Sequence, residues 1–184
     1  MPTLYLIDAF HQFFRNYHAI RTPMTSPVTK EPTNMTFGFI GMLLKLLKAD
    51  PKTTPNLARA GKPDYLAFAL DVSGDRGTFR SELYSEYKAN RPPPPEDLMP
   101  QVERCLGILR TLGVPAIGSE GFEADDVMAT LVSRLRATHP DLQIRLASKD
   151  KDLKQLLGPR VDMFDIQTDT AFDAEHLREQ MGIT

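Results

Sequence analysis

Seven carboxylates stand at four places in this 184-residue chain, each where a strand should end or a helix begin. Asp8 closes the apolar run Leu4-Tyr5-Leu6-Ile7, and Asp71 closes Leu66-Ala67-Phe68-Ala69-Leu70. Glu123, Asp125 and Asp126 open a helix after Gly121-Phe122, while Asp150 and Asp152 follow Ile144-Arg145-Leu146-Ala147-Ser148. In an open α/β sheet the carboxyl ends of the parallel strands share one edge, so these acids can meet in one crevice. Like charges gathered that closely cannot all stay ionised without compensation. Divalent metal is the economical compensation. All-oxygen ligands select hard cations such as Mg²⁺ or Mn²⁺, and paired ions recur in phosphodiester cleavage. The chemistry implied is that of a metal-dependent nuclease core.

Each acid also has a plainer role. An Asp after a strand commonly caps the next helix, and acids in a first turn complement the helix dipole. For Asp8 or Asp71 alone, that structural role is the better reading. Glu123, Asp125 and Asp126, however, repel one another more than one helix end requires, and Asp150-Lys151-Asp152 adds a second group after another strand. The four groups together favour a metal site. His11 and His18 lack the Cys or His partners of a zinc signature, and His18 reads as a packed residue.

The elements that would position these acids alternate between strand and helix, the pattern of a parallel sheet with helices on both faces. A strand at about 4–8 leads into a helix near 10–19 with Phe10, Phe13, Phe14 and Tyr17 at helical spacing. Residues 35–47 predict a strongly apolar helix in which Gly38 and Gly41 permit close packing, and 50–62 an exposed loop. A strand at 65–70 precedes an irregular stretch, 72–96, in which a polar helical segment from Phe79 to Asn90 stops at Pro92-Pro93-Pro94-Pro95. A helix at 97–112 has Val102, Leu106, Leu109 and Leu112 as its inward stripe, with Cys105 on that face. Strand 114–117, helix 123–137, strand 142–147, a short helix near 151–157, strands 161–166 and 169–172 and helix 173–181 follow. No internal repeat or interdomain linker interrupts the order.

With 41% apolar and 25% charged residues, the chain suits one soluble domain, which would bury roughly 70% of its unfolded surface. A single cysteine excludes an internal disulfide and a cysteine metal cluster, and fits a reducing cytoplasm. No apolar run approaches a membrane span, and neither secretion nor membrane insertion is expected. The net charge of −2 is unevenly divided: residues 1–62 carry eight Lys/Arg against three Asp/Glu, and setting the seven candidate ligands aside leaves the whole chain at +5. Acidity concentrated in the site would leave a basic surround for phosphates.

At this point the chain resembles a family. Asp8, Phe79-Arg80, Tyr87-Lys88-Ala89-Asn90-Arg91-Pro92, Gly121-Phe122-Glu123-Ala124-Asp125-Asp126 and Asp150-Lys151-Asp152-Leu153 look like the 5′-nuclease domain of bacterial DNA polymerase I. That domain belongs to the flap endonuclease superfamily, and the likeness runs through the whole chain in the same order. The resemblance implies an α/β fold: a mainly parallel central sheet with helices on both faces, a PIN-like or resolvase-like three-layer core. It implies an arch- or clamp-like segment at about 73–95. It also implies two Mg²⁺ ions in the complete enzyme, with Mn²⁺ as a possible substitute. Asp8, Asp71, Glu123 and Asp125 would serve the first ion, Asp150 and Asp152 would lie between the two, and Asp126 would support the cluster. By the same likeness Lys88 and Arg91 are the catalytic basic residues of the arch, with Lys88 at the scissile phosphate. Arg15 would lie near the substrate's 5′ end. Arg80, Tyr84 and Tyr87 would join Arg15, Lys88 and Arg91 against DNA, and each tyrosine that stacks on a displaced base would contribute roughly 1–3 kcal/mol.

The implied activity is 5′-3′ exonuclease and 5′-flap endonuclease hydrolysis of DNA in replication and repair. The substrate is DNA with a 5′ flap, nick or gap, and a polymerase domain would share the full-length chain. The chain departs from the family at Ala9, where glycine is frequent, and at Lys149, which adds positive charge before Asp150. It also ends at Met181-Gly182-Ile183-Thr184, before the family's further acidic pair and the helix–three-turn–helix that grips duplex DNA. It reads as a fragment of a longer protein rather than a deficient paralogue, and as a weak or inactive nuclease alone. Two rivals stand beside this reading: a PIN-type ribonuclease, for which the Phe79–Pro95 segment is surplus, and a catalytically weak DNA-structure-binding module. A toprim domain would need Glu where Asp8 stands.

Overall fold

The computed structural model describes residues 1–74 and 77–182 and gathers the apolar runs into one six-stranded sheet. The strands are β1 (Thr3–Asp8), β2 (Tyr65–Leu70), β3 (Ala116–Gly118), β4 (Gln143–Ala147), β5 (Val161–Asp165) and β6 (Thr170–Phe172), in the order β3-β2-β1-β4-β5-β6. β1 to β5 pair in parallel and β6 returns antiparallel on β5. β1 lies at the centre, with Leu6 opposite Ala67 of β2 and Leu146 of β4. Central parallel strands are covered on both faces, which is why Leu4 to Ile7 are apolar without alternation.

The helices are α1 (Ala9–Ala19), α2 (Asn34–Lys48), α3 (Pro55–Ala60), α4 (Phe79–Leu83), α5 (Leu98–Thr111), α6 (Ala124–Thr138) and α7 (Ala174–Met181), with a 3₁₀ turn at Lys151–Leu156. Strand side chains alternate between the two faces. Tyr5, Ile7 and Phe68 meet Phe13 of α1, Phe39 and Leu46 of α2 and Leu109 of α5. Phe13, Phe39 and Phe68 form a run of tilted rings, with centroids 5.4 and 5.7 Å apart along it. Leu6, Ile144 and Leu146 face the other way, beneath Val127, Met128 and Val132 of α6 and Leu153. Cys105 is buried on the first face, where burial pushes its thiol up to about 12 and leaves it chemically inert.

Four local expectations are corrected. The helix anticipated over 79–90 ends at Leu83. Thr78 caps its start, but residues 84–90 offer no buried side chain to dock a longer helix, and short helices depend on such docking. The loop anticipated over 50–62 contains α3, which buries Leu57. The Asp169 carboxylate, far away in sequence, accepts the N–H groups of Asn56 and Leu57 at the start of that helix, both at 2.8 Å. Leu112 caps the C-terminus of α5 and is 57% exposed, so the inward stripe ends at Leu109. Gly38 does permit close approach, because a Cβ there would lie 3.0 Å from Asn16 Oδ1, but Gly41 faces open space. Beyond Gly41, the outer face of α2 leaves Phe37, Ile40, Leu44 and Leu47 exposed. No helix among the described residues is long and apolar enough to cross a membrane.

Candidate active site

The strand order reverses between β1 and β4, so the connections leaving these neighbours diverge and open a crevice at their carboxyl ends. Asp8 ends β1 and caps α1, accepting the His11 N–H at 3.0 Å and the Ser148 hydroxyl at 3.1 Å. Its capping role and its place in the crevice coincide. Asp71, directly after β2, accepts the Ala124 N–H at 2.6 Å and so ties β2 to the first turn of α6. Glu123 is the N-cap of α6, and its own N–H donates to Asp126 at 3.1 Å. Asp150 begins the 3₁₀ turn by accepting the Asp152 N–H at 2.9 Å, while its N–H donates to Ser148 Oγ at 3.1 Å.

Asp8, Asp71, Glu123, Asp125 and Asp150 thus line one cavity of about 840 Å³. Lys88, Arg91 and Arg15 stand in its wall, with His11, Phe14 and His18 from α1. Asp126 turns away, held by a bidentate Arg80 pair at 2.5 and 2.8 Å. Asp152 lines an adjoining hollow with Arg80, Asp125, Lys151 and Gln155. Tyr84 is 62% exposed and lines neither space. Tyr87 uses its hydroxyl to donate to Glu123 Oε2 at 3.2 Å, and Lys88 Nζ donates to Glu123 Oε1 at 2.7 Å. The segment expected to form an arch is anchored on this loop. Phe79 N–H donates to the Gly121 carbonyl at 2.9 Å, and the Phe79 and Phe122 rings lie 5.6 Å apart. Residues 75 and 76 of that segment lie outside the described residues.

The electrostatics divide the acids into two kinds. Burial pushes the carboxyls of Asp8 and Asp71 up from their ordinary range, and burial and then the neighbouring Asp126 charge do the same for Asp125. Asp126 is held low by its hydrogen bonds from Arg80. Burial would pull Lys88 down, but its contact with Glu123 outweighs that and its ammonium is held charged. Arg15 makes a bidentate pair with Asp165 at 2.6 and 3.0 Å, and Lys149 meets the same carboxylate at 2.8 Å. Burial alone would raise Asp165; the two cations outweigh it and keep this carboxyl well below the usual range. Lys149 therefore spends its charge on Asp165 rather than beside Asp150.

Asp165 and Ser148 were not anticipated. Asp165 ends β5 at the same sheet edge, so the strand-end rule that picked out Asp8 and Asp71 would also have found it. Ser148 carried no comparable signal, since its role depends on β4 lying beside β1.

An all-carboxylate donor set suits a hard divalent cation, and Asp8, Asp71, Glu123, Asp125 and Asp150 present that set in one cavity. Among the described residues, however, no three acidic, His or Cys side chains are gathered around one point as ligands. The donors fit in kind and in place, but side chains must turn to coordinate an ion, Glu123 first among them because both its oxygens are engaged.

A resolvase-like sheet with an acidic crevice at its carboxyl edge defines the class. The chain belongs to the family described as the 5′-3′ exonuclease N-terminal, resolvase-like domain, whose model matches residues 3–182. It is 38% identical over 180 residues to DNA polymerase I of Rhizobium leguminosarum, covering 98% of this chain and 17% of the relative. It is 31% identical over 183 residues to the 5′-3′ exonuclease of Aquifex aeolicus, covering 100% of this chain and 57% of that protein. The T5 D15 protein co-crystallised with metal ions shares the fold at a TM-score of 0.67 and 21% identity, over 98% of this chain and 61% of that one. The chain therefore spans about a fifth of its polymerase relatives and just over half of the exonuclease.

Proposed function

We propose that this domain hydrolyses DNA phosphodiester bonds as a 5′-3′ exonuclease and 5′-flap endonuclease, with Mg²⁺ as its ion and Mn²⁺ as a substitute. The observation that carries the reading is the convergence of Asp8, Asp71, Glu123, Asp125 and Asp150 on one cavity walled by Lys88, Arg91 and Arg15. The five carboxylates would hold the ions, with Asp152 at the margin and Asp126 steadying the start of α6 through Arg80. When bound, the ions supply Lewis acidity to water and to the phosphoryl oxygens. Lys88, once off Glu123, places an ammonium where charge develops on the phosphate. Arg91 and Arg15 are basic contacts for the strand, Arg15 in an orientation set by Asp165. The substrate is DNA with a 5′ flap, nick or gap. The polymerase relatives support reading the full-length protein as one that adds a polymerase, acting in replication and repair in the cytoplasm, and the family resemblance adds to this a duplex-gripping part.

The test is cleavage of a labelled 5′-flap duplex in Mg²⁺ by the wild type, Asp8→Asn and Asp150→Asn, beside an unstructured RNA. Flap cleavage lost in both variants is the expected result. Preferential cleavage of the RNA would move the reading to a ribonuclease. The engagement of both Glu123 oxygens specifically favours a second reading, a DNA-structure-binding module. Flap binding in Ca²⁺ with no cleavage in Mg²⁺ or Mn²⁺ would establish it.

A further inference from the structure

Three groups from one short stretch bear on a single buried carboxylate. Glu123 is 6% exposed; Lys88 Nζ reaches one of its oxygens at 2.7 Å and Tyr87 hydroxyl the other at 3.2 Å, with an Arg80 guanidinium nitrogen at 3.8 Å. Asp8, Asp71, Asp125 and Asp150 share the cavity, and in none of them does an ammonium occupy one oxygen and a phenol the other. Lys88 makes its contact from a left-handed backbone, φ +56°, a conformation that residues with side chains keep only where their surroundings enforce it. No side chain between residues 84 and 90 is fully buried, so this stretch has no core contact of its own to hold that conformation. Backbone turns shape the stretch, with the Tyr87 N–H donating to the Tyr84 carbonyl at 2.9 Å and the Ala89 and Arg91 N–H groups to the Glu86 and Lys88 carbonyls at 3.1 Å, and the contacts on Glu123 hold it against the crevice.

We propose that the Lys88 ammonium is a built-in stand-in for the divalent cation at Glu123, so that metal loading and docking of residues 84–90 compete for one carboxylate. The inference rests on the reading of Glu123 as a metal ligand. An ammonium and a divalent cation cannot both sit within contact of one carboxylate without strong mutual repulsion at low dielectric. With the ion absent, Lys88 compensates Glu123 and the segment is drawn onto the crevice. With the ion held by several carboxylates at once, Lys88 is displaced, residues 84–90 are released from the crevice, and its ammonium is free at the crevice mouth. Tyr87 is a second clasp on the same carboxylate rather than a stacking platform.

The test counts Mn²⁺ bound to metal-free protein by the spin-resonance signal of the free ion, in the wild type, Lys88→Met, Lys88→Gly and Glu123→Gln. Both Lys88 variants should bind Mn²⁺ more tightly than the wild type, by about tenfold, the order of one charge-assisted contact. Lys88→Gly also accepts the left-handed backbone without strain, so it reports even if the methionine variant folds poorly. Adding Ca²⁺ to the wild type should speed chymotryptic cleavage after Tyr87. Equal or weaker Mn²⁺ binding by both Lys88 variants, with Glu123→Gln impaired, overturns the competition while leaving the metal site intact. Wild-type Mn²⁺ binding by Glu123→Gln removes that residue from the ligand set and overturns both.

Discussion

At the scale of single residues, ion pairs decide how much a charge is worth to a ligand. Arg15, proposed above as a basic contact for the strand, is already committed to Asp165. Replacing it strands a buried carboxylate with Lys149 as its remaining cation, so Arg15→Ala should cost about 1–3 kcal/mol in urea unfolding. The same change should flatten the salt dependence of DNA binding by less than one full phosphate contact. Asp162 makes a separate prediction. Burial, only partly offset by Arg145, raises its carboxyl to about 6 in the folded protein. The folded state therefore holds this proton more tightly than the unfolded chain, so the group's contribution to stability falls as pH rises from about 4 to 6. Two units would amount to at most about 3 kcal/mol. Thermal unfolding at pH 4.5 and 7 should show a smaller pH dependence for Asp162→Asn than for the wild type. Asp165, held low, acts in the opposite direction and below pH 4, outside that window.

At the scale of elements, the site depends on how helices begin. Asp8, Glu123 and Asp150 each stand at an N-cap, so their backbones are fixed by the element that follows while their side chains face the crevice. α4 buries no side chain and is held by the Thr78 and Ser81 capping box together with the Phe79 and Arg80 contacts to the start of α6. Thr78→Ala should cost about 1 kcal/mol of local stability. It should be visible as faster hydrogen exchange over Phe79–Leu83, with little change in Tm. α5 provides the contrast. Leu109→Ala should destabilise the whole domain by about 2–5 kcal/mol, whereas Leu112→Ala should stay within about 0.5 kcal/mol, because the helix has ended and its side chain is exposed. Urea unfolding of the two variants side by side checks the difference.

At the scale of the whole molecule, folding brings acids together from segments as distant as Asp8 and Asp150 and leaves their repulsion uncompensated except where protein cations intervene. A ligand that binds only the folded state stabilises it by mass action, about 2.7 kcal/mol at a hundredfold excess over Kd. Mg²⁺ or Mn²⁺ should therefore raise Tm by several degrees relative to chelator, and Asp8→Asn and Asp150→Asn should remove most of that rise. A shift that persists in both variants would mean that the ion binds elsewhere.

The strand and helix order was legible in the sequence because each element writes its own period. Apolar runs of four and five residues marked β1 and β2, helical spacing marked α1, α2 and α5, and strand-end acids marked the sheet edge where Asp8, Asp71, Glu123, Asp125 and Asp150 now meet. Those signals are local, and parallel topology turns them into one place. The pairings were not legible, because each joins positions remote in the chain. Asp165 takes Arg15 and Lys149, Asp169 starts α3, Ser148 reaches Asp8, and Lys88 with Tyr87 closes on Glu123. Sequence determined which residues carry charge at the edge of the sheet. Only tertiary packing decided which of those charges are already spent on one another, since that depends on distances and burial that no local period encodes.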